Sequence, residues 1–271
     1  MDKIEKIAGS VIQHGHHNSR IYVMHLNTED TGSLISKLDR MAIENGYGKI
    51  FAKIPATRWK AFKSAGYTKE AVVSKFFKGK TDGIFVAKYF SAERQKTRNQ
   101  TCVDQMESNS NGYPRTKRIT PPIIACTPSD AEEMGNLYRQ VFESYPFPIH
   151  QPEYLKRMMG KNAFYFCIHV KKKIAAVAAA ETDSASMTCE MTDFATLPEH
   201  RGKGLARKLL GRLDDEARKH GMKTAYTIAR ADSHGMNRVF KRKGYQYAGL
   251  LNNNSQICGS IRSMTVWYKH L

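Results

Sequence analysis

The stretch Glu190-Met-Thr-Asp-Phe-Ala-Thr-Leu-Pro-Glu-His-Arg201-Gly-Lys-Gly-Leu-Ala206-Arg-Lys-Leu-Leu210 constrains this chain more than any other. Met187 to Leu197 is rich in Thr, Phe, Met and Leu and reads as a strand, which Pro198 stops. Leu205, Leu209, Leu210, Leu213 and Ala217 then recur at helical spacing, with Lys203, Arg207, Lys208 and Arg212 off that stripe. Between them Arg201-Gly202-Lys203-Gly204-Leu205-Ala206 forms a small basic loop running directly into the helix. Glycines let backbone N–H groups approach a ligand, and a helix start adds partial positive charge, so this geometry suits an anion. Two familiar phosphate loops are excluded. The Walker pattern Gly-x4-Gly-Lys-Ser/Thr is absent, and the third glycine of a dinucleotide-binding fingerprint is missing.

The length of 271 residues allows one large or two ordinary domains. No apolar run is long enough to span a bilayer, the most apolar piece being Ile174 to Ala180, and Met-Asp-Lys-Ile-Glu-Lys lacks a signal-peptide core. A soluble, cytoplasmic protein without membrane partners is the expectation. Five cysteines, odd in number and without a Cys-x-x-Cys pair, indicate neither a disulfide framework nor zinc. His14-Gly-His-His17 has no carboxylate or cysteine neighbour in sequence and reads as a polar turn rather than a metal site. The net charge of +18 suits nucleic acid, a polyanionic cofactor or a solvated basic surface. The basic residues are dispersed along the chain and no basic-aromatic cluster occurs, which favours the surface over nucleic acid.

Taken in order, residues 1–95 read as an N-terminal α/β domain. Its strands are Ser19–Leu26, Lys49–Ile54, Ala71–Phe77 and Ile84–Phe90, and its helices Asp30–Asn45 and Thr57–Ala65. Residues 96–121 are polar and aperiodic, as an interdomain linker would be. Residues 122–271 start with a short strand, Ile123–Pro128, and a helix capped by Ser129. The aromatic loop Tyr145-Pro-Phe-Pro-Ile149 and a helix from Pro152 follow, then a hairpin turning at Lys171-Lys-Lys173. Beyond the opening stretch come Lys223–Ala229, a helix Ser233–Arg242, and two final strands. An internal echo joins the halves: Phe62-Lys-x-x-Gly66-Tyr67 against Phe240-Lys-x-x-Gly244-Tyr245. Either the first half is a degenerate copy of the second without its glycine loop, or two helix ends are alike by chance.

Arg201-x-x-Gly204-x-Ala206, following Pro-Glu-His, resembles the acetyl-coenzyme A pyrophosphate loop of the GNAT acyltransferases, and the order β-α-α-β-β-β-α-β-α-β-β over residues 122–271 resembles their fold. The resemblance implies an α+β chain, with a mixed sheet that splays after its fourth strand to admit acetyl-CoA, and no metal. It implies that the main chain of Phe194, Ala195 and Thr196 pairs with the pantetheine arm, the Phe194 N–H meeting the thioester oxygen. Arg201, Gly202, Lys203, Gly204, Leu205 and Ala206 would hold the pyrophosphate. Glu190 falls where the family carries a general base; a solvent-facing strand glutamate would look the same. Asp193, at an odd offset from Glu190, is expected on the opposite face. The family's cofactor-contacting Asn falls on Ser233, with Asn237 one turn along. Phe240 stands where the family often has a tyrosine acid, leaving Tyr245, another tyrosine or water for that role.

A longer pattern resembles one branch of the family, the β-lysine N6-acetyltransferases that act with lysine 2,3-aminomutase to make the compatible solute Nε-acetyl-β-lysine. It includes Phe142-Glu-Ser-Tyr-Pro-Phe-Pro-Ile149 and Ser233-His-Gly-Met-Asn-Arg-Val-Phe240, with Asn45-Gly-Tyr-Gly-Lys-Ile-Phe-Ala-Lys-Ile-Pro55 and Phe76-Phe-Lys-Gly-Lys-Thr-Asp-Gly83 in the first half. A zwitterionic diamine needs a carboxylate, a cation and an apolar sleeve. Glu143, Tyr145, Phe147 and Asp193 are the candidate acceptor contacts, although Tyr145 and Phe147 would equally plug a domain interface. Another amine as acceptor, or a non-catalytic nucleic-acid-binding protein on this scaffold, are the alternatives.

Overall fold

The computed structural model describes residues 2–96 and 121–271, so the expected linker lies outside the described residues except at its two ends. The N-terminal half contains strands β1 (Lys3–Ile7), β2 (Ser10–Gly15), β3 (Arg20–His25), β4 (Lys49–Pro55), β5 (Thr68–Phe77) and β6 (Thr81–Tyr89). Helices α1 (Thr31–Glu44), α2 (Trp59–Ser64) and α3 (Ala92–Gln95) lie among them. The second half opens with β7 (Ile123–Ala125), α4 (Ala131–Val141) and α5 (Pro152–Met159). It continues with β8 (Ala163–Val170), β9 (Lys173–Asp183), β10 (Thr188–Thr196), α6 (Leu205–Lys219), β11 (Thr224–Arg230), α7 (His234–Arg242), β12 (Gln246–Ile257) and β13 (Ser260–His270).

All thirteen strands form one mixed sheet, ordered β1-β2-β3-β4-β6-β5-β12-β13-β11-β10-β9-β8-β7. The sequence hid the β1–β2 hairpin because Lys3-Ile-Glu-Lys-Ile7 is largely polar and exposed. The helix cap also differs from expectation. The Thr127 hydroxyl and the Asp130 carboxylate form a capping box, and a 3-10 turn at Pro128–Asp130 precedes α4, so Ser129 is not the cap.

One strand order is used twice. β1-β2-β3-β4-β6-β5 and β8-β9-β10-β11-β13-β12 share the same sequence of antiparallel and parallel pairings, with α1 matching α6 and α2 matching α7. Side chains repeat with it. Lys88 donates to Asp39 and lies 5.8 Å from the Tyr67 ring; Lys269 donates to Asp214 and lies 5.7 Å from the Tyr245 ring. The Phe62–Tyr67 and Phe240–Tyr245 pairs of the sequence echo both pack edge to face.

The halves meet where β5 and β12 pair at Ala71 and Gly249. A Cβ on Gly249 would drive into the Glu70 carbonyl and Ala71, so only glycine allows this approach. Each half keeps its own core. Leu34, Leu38, Ile50, Ala52 and Ile54 pack under α1, and Leu209, Leu210, Leu213, Met191 and Phe240 under α6. A separate cluster bridges them, joining Tyr22, Phe51, Phe76 and Phe85 to Tyr226, Leu251, Met264 and Val266. Burying each such side chain contributes roughly 1.5–3 kcal/mol.

His14 is not in a turn. It lies buried on β2, with one ring nitrogen against the Glu5 carboxylate and the other 3.0 Å from the Tyr47 hydroxyl. Among the described residues no cluster could hold a metal, and no helix is long and apolar enough to cross a membrane.

Candidate active site

β10 pairs in parallel with β11 only over Thr188–Glu190, then the two strands part. Phe194 and Thr196 therefore line an open cleft while their strand stays paired to β9 on its other side. Ala195 turns away into the core beneath α4. A 3-10 turn at Pro198–His200 leads to the glycine loop, and Gly202 and Gly204 take left-handed φ of +75° and +76°. Gly204 caps α6 with no side-chain hydrogen bond, so the first N–H groups of the helix have no side-chain acceptor at the cap. The matching helix of the N-terminal half differs. There Asp30 caps α1 by accepting from the Ser33 N–H, placing a carboxylate where an anion would bind. Only the second half keeps this site open to an outside anion.

Arg201, Gly202, Gly204, Leu205 and Ala206 line the same cavity, as do Ser233 and Phe240. Arg207, Arg238 and Arg242 also line it, an electropositive setting that fits a diphosphate. Besides Ala195, the residues Lys203, Asn237 and Tyr245 were expected at the site and do not face the cavity. The Lys203 ammonium folds back onto the Glu199 carbonyl, 2.9 Å away. Asn237 is fully buried; its amide donates to the carbonyls of Arg230, Ala231 and Ser233, and its oxygen accepts from Thr265 and Trp267. Tyr245 is buried beneath α6 and donates to Asp214 at 2.7 Å. Asn237 and Tyr245 thus fasten α7 and β13 and α6 rather than reaching a ligand.

The cavity, cleft included, measures about 1550 Å³ and is walled by both halves. Glu190 stands directly across from Glu181 of β9. Its carboxylate accepts from the Tyr226 hydroxyl at 2.7 Å, and that oxygen in turn accepts from Lys53, also at 2.7 Å. Lys53 lies 3.9 Å from Glu190 itself. Asp193 was expected on the far face, and the structure corrects this. Thr192 pairs with Ala179 but Ala195 with Val177, so three residues of β10 span two of β9. The extra residue makes a bulge at Asp193, whose φ is +54°, and shifts the alternation so that Asp193 joins the Glu190 side. Its Oδ1 accepts from Tyr145 at 2.9 Å and from Thr192 at 3.2 Å. Its Oδ2 is buried and makes no close hydrogen bond among the described residues, with the Tyr165 hydroxyl, equally buried and unengaged, near enough to help hold down the Asp193 pKa.

Three carboxylates thus share one wall. Burial pushes Glu181 up to about 8, with Asp193 and Glu190 adding to the rise and Lys53 and Lys161 opposing it. Burial likewise raises Asp193 to about 6, reinforced by Glu190 and opposed by its Tyr145 and Thr192 hydrogen bonds. Tyr145 and Tyr226 are held well above the usual phenol range, first by burial and then by Asp193 and Glu190 respectively. Carboxylates crowded this way invite a cation. Phe147 lines the cavity beside Tyr145, whereas Glu143 does not and lies against Gly259. Glu181, Tyr226, Lys53, Tyr22 and Arg20 escaped the sequence reading. Glu181 alone left a signal there, as the first charge after the apolar run Ile174–Ala180.

A model of the acetyltransferase (GNAT) family matches residues 131–245. Along 99% of both chains the sequence is 34% identical to the β-lysine N(6)-acetyltransferase of Methanococcus maripaludis. It is 27% identical to the protein of that name in Methanosarcina mazei, over 83% of this chain and 92% of that one. It is also 30% identical to the N-acetyltransferase YodP of Bacillus subtilis, over 76% of each. With a full-length relative at this identity, and a cleft, open helix start and basic rim where the matched region lies, the chain belongs to the GNAT acetyltransferase family.

Proposed function

We propose that this acetyltransferase moves the acetyl group of acetyl-CoA to the side-chain amine of β-lysine, giving Nε-acetyl-β-lysine, a compatible solute. The names of two relatives support the acceptor. The observation that carries the reading is the wall of three carboxylates, Glu181, Glu190 and Asp193, lining one cavity. Crowded carboxylates repel one another when ionised, and an ammonium group placed among them relieves that repulsion while donating hydrogen bonds. β-Lysine carries two ammonium groups, matching a wall with more carboxylates than cations.

An ammonium of this kind titrates near 10.4 and must lose a proton before it can attack a thioester. Glu190 takes that proton, and the Tyr226 hydroxyl holds its carboxylate in place. The open edge of β10 at Phe194 and Thr196 offers main-chain partners to the pantetheine arm, with the Phe194 N–H for the thioester oxygen. The α6 start with Arg201 receives the pyrophosphate. The bond formed is amide C–N and the bond broken is C–S; the second proton, shed by the nitrogen as the amide forms, passes through water to the leaving thiolate. Phe240 has no proton to give, and the Tyr245 hydroxyl is engaged by Asp214.

The test is thiol release from acetyl-CoA with β-lysine, α-lysine, spermidine and a lysine-rich peptide as acceptors. A kcat/KM for β-lysine at least about tenfold above the others is expected. Preference for a different amine discards the acceptor and keeps the reaction.

A further inference from the structure

Apart from the second half's arginines, the charged groups that line the cavity divide between the two halves. The carboxylates of Glu181, Glu190 and Asp193 come from the second half, whereas Arg20 and Lys53 come from β3 and β4 of the first. Strand alternation produces this. Ile21, Val23, Ile50, Ala52 and Ile54 enter the core under α1, which turns Arg20, Tyr22, Phe51 and Lys53 to the cavity. In the repeated strand order Tyr22 holds the place of Glu190: each sits opposite an aromatic residue, Phe51 or Tyr226, across the parallel strand pair. The first half has therefore lost the base as well as the open anion site, and presents cations and rings instead.

Arg20 is the unusual group. It is 3% exposed, and its guanidinium donates to the Asn254 carbonyl at 2.6 Å, the Ser255 hydroxyl at 2.8 Å and, more weakly, Gln13. All three are uncharged; the Asp2 carboxylate supports its charge from farther away, without an ion pair among the described residues. Burial lowers it only to about 10, so it is charged at neutral pH. A buried cation without a paired counter-ion is costly, and an arriving anion would supply the pair. Between Arg20 and Lys53 runs an aromatic strip. The Tyr22 ring centroid lies 5.2 Å from the guanidinium carbon and 5.5 Å from the Lys53 nitrogen, and the Phe51 ring is 4.9 Å from that of Tyr22. Such a strip suits a short methylene chain with its carboxylate at Arg20 and its amine end at Glu190, which lies 3.9 Å beyond Lys53.

Building on the acetyl-transfer reading, we propose that the N-terminal half is the acceptor's carboxylate subsite, with Arg20 pairing with the carboxylate while the amine end lies against Glu190. The degenerate copy thereby sets specificity for an amino acid over a plain diamine.

The experiment compares β-lysine with 1,4-diaminopentane, the same skeleton without its carboxylate, in the wild type and in Arg20→Gln and Arg20→Lys. The wild type is expected to favour β-lysine. Arg20→Gln is expected to raise KM for β-lysine about 100-fold while shifting KM for the diamine and for acetyl-CoA by less than about twofold. Arg20→Lys should recover part of the loss. Equal losses on both acceptors, or a wild type that does not distinguish them, would overturn the subsite. The wild-type comparison decides even where Arg20→Gln fails to fold. If another amino acid proves to be the acceptor, the same comparison is made with its decarboxylated counterpart, and a retained Arg20 effect supports the subsite while β-lysine is discarded. Turnover only of amines without a carboxylate overturns the subsite and leaves acetyl transfer standing. No turnover of any amine overturns both.

Discussion

Glu190 accepts one hydrogen bond from Tyr226 and faces Lys53, so its carboxylate is held in one orientation toward the cavity. Glu190→Gln keeps the shape and removes the proton acceptor. The expected result is a kcat lower by about 10²–10³-fold at pH 7. As pH rises toward the amine's own value near 10.4, more acceptor arrives already neutral and the deficit should shrink. A kcat–pH profile checks this, and a loss equal at every pH would remove Glu190 as base. Glu190 was singled out by its place four residues before Phe194, and the structure sets it on the cavity wall. Asp193 was named but placed on the wrong face, since strand alternation holds only where no bulge intervenes. The bulge residue is an aspartate, which tolerates left-handed φ without announcing itself as glycine would. Glu181, Lys53 and Arg20 join the site through pairings between distant strands, which no local pattern reports.

At the scale of elements, the loop from β10 into α6 was readable because strand, proline, glycines and helical stripe agree with one another. The missing glycine loop of the first half was legible too, but not what takes its place at the counterpart helix start. Asp30 fills one and Gly204 leaves the other open. Gly204→Glu should therefore act twice. A side chain at φ +76° costs about 1–2 kcal/mol of stability, and the new carboxylate would occupy the anion position. Calorimetry is expected to show acetyl-CoA affinity weakened more than about 100-fold. Gly204→Ala is the control: it carries the same backbone strain without the charge, so its thermal shift should match while its affinity falls far less. If Gly204→Glu binds as the wild type does, the loop is not the pyrophosphate site.

The whole molecule accounts for the state of the carboxylates. Glu181, Glu190 and Asp193 belong to the second half, but the first half closes over them through Tyr22, Phe51 and Lys53. Only the Phe-Lys-x-x-Gly-Tyr echo in the sequence hinted at the repeat, because cores of different composition conceal a shared strand order. Burial is the largest cause of the raised values at Glu181, about 8, and Asp193, about 6. Both lie above ordinary carboxylates, so the folded protein holds more protons than the unfolded chain from about pH 4 to pH 8, and the cluster's contribution to stability declines as pH rises through that window. A cationic acceptor reverses the preference by favouring the ionised carboxylates. Its binding at pH 7 should release protons, up to about one per site, and its affinity should rise with pH between the two values. Calorimetry in buffers of different ionisation enthalpy measures this directly, and the release should vanish above about pH 9, where the cluster is already ionised. Proton uptake at pH 7, or heats independent of buffer, would mean that the acceptor's charge is met elsewhere than on this wall.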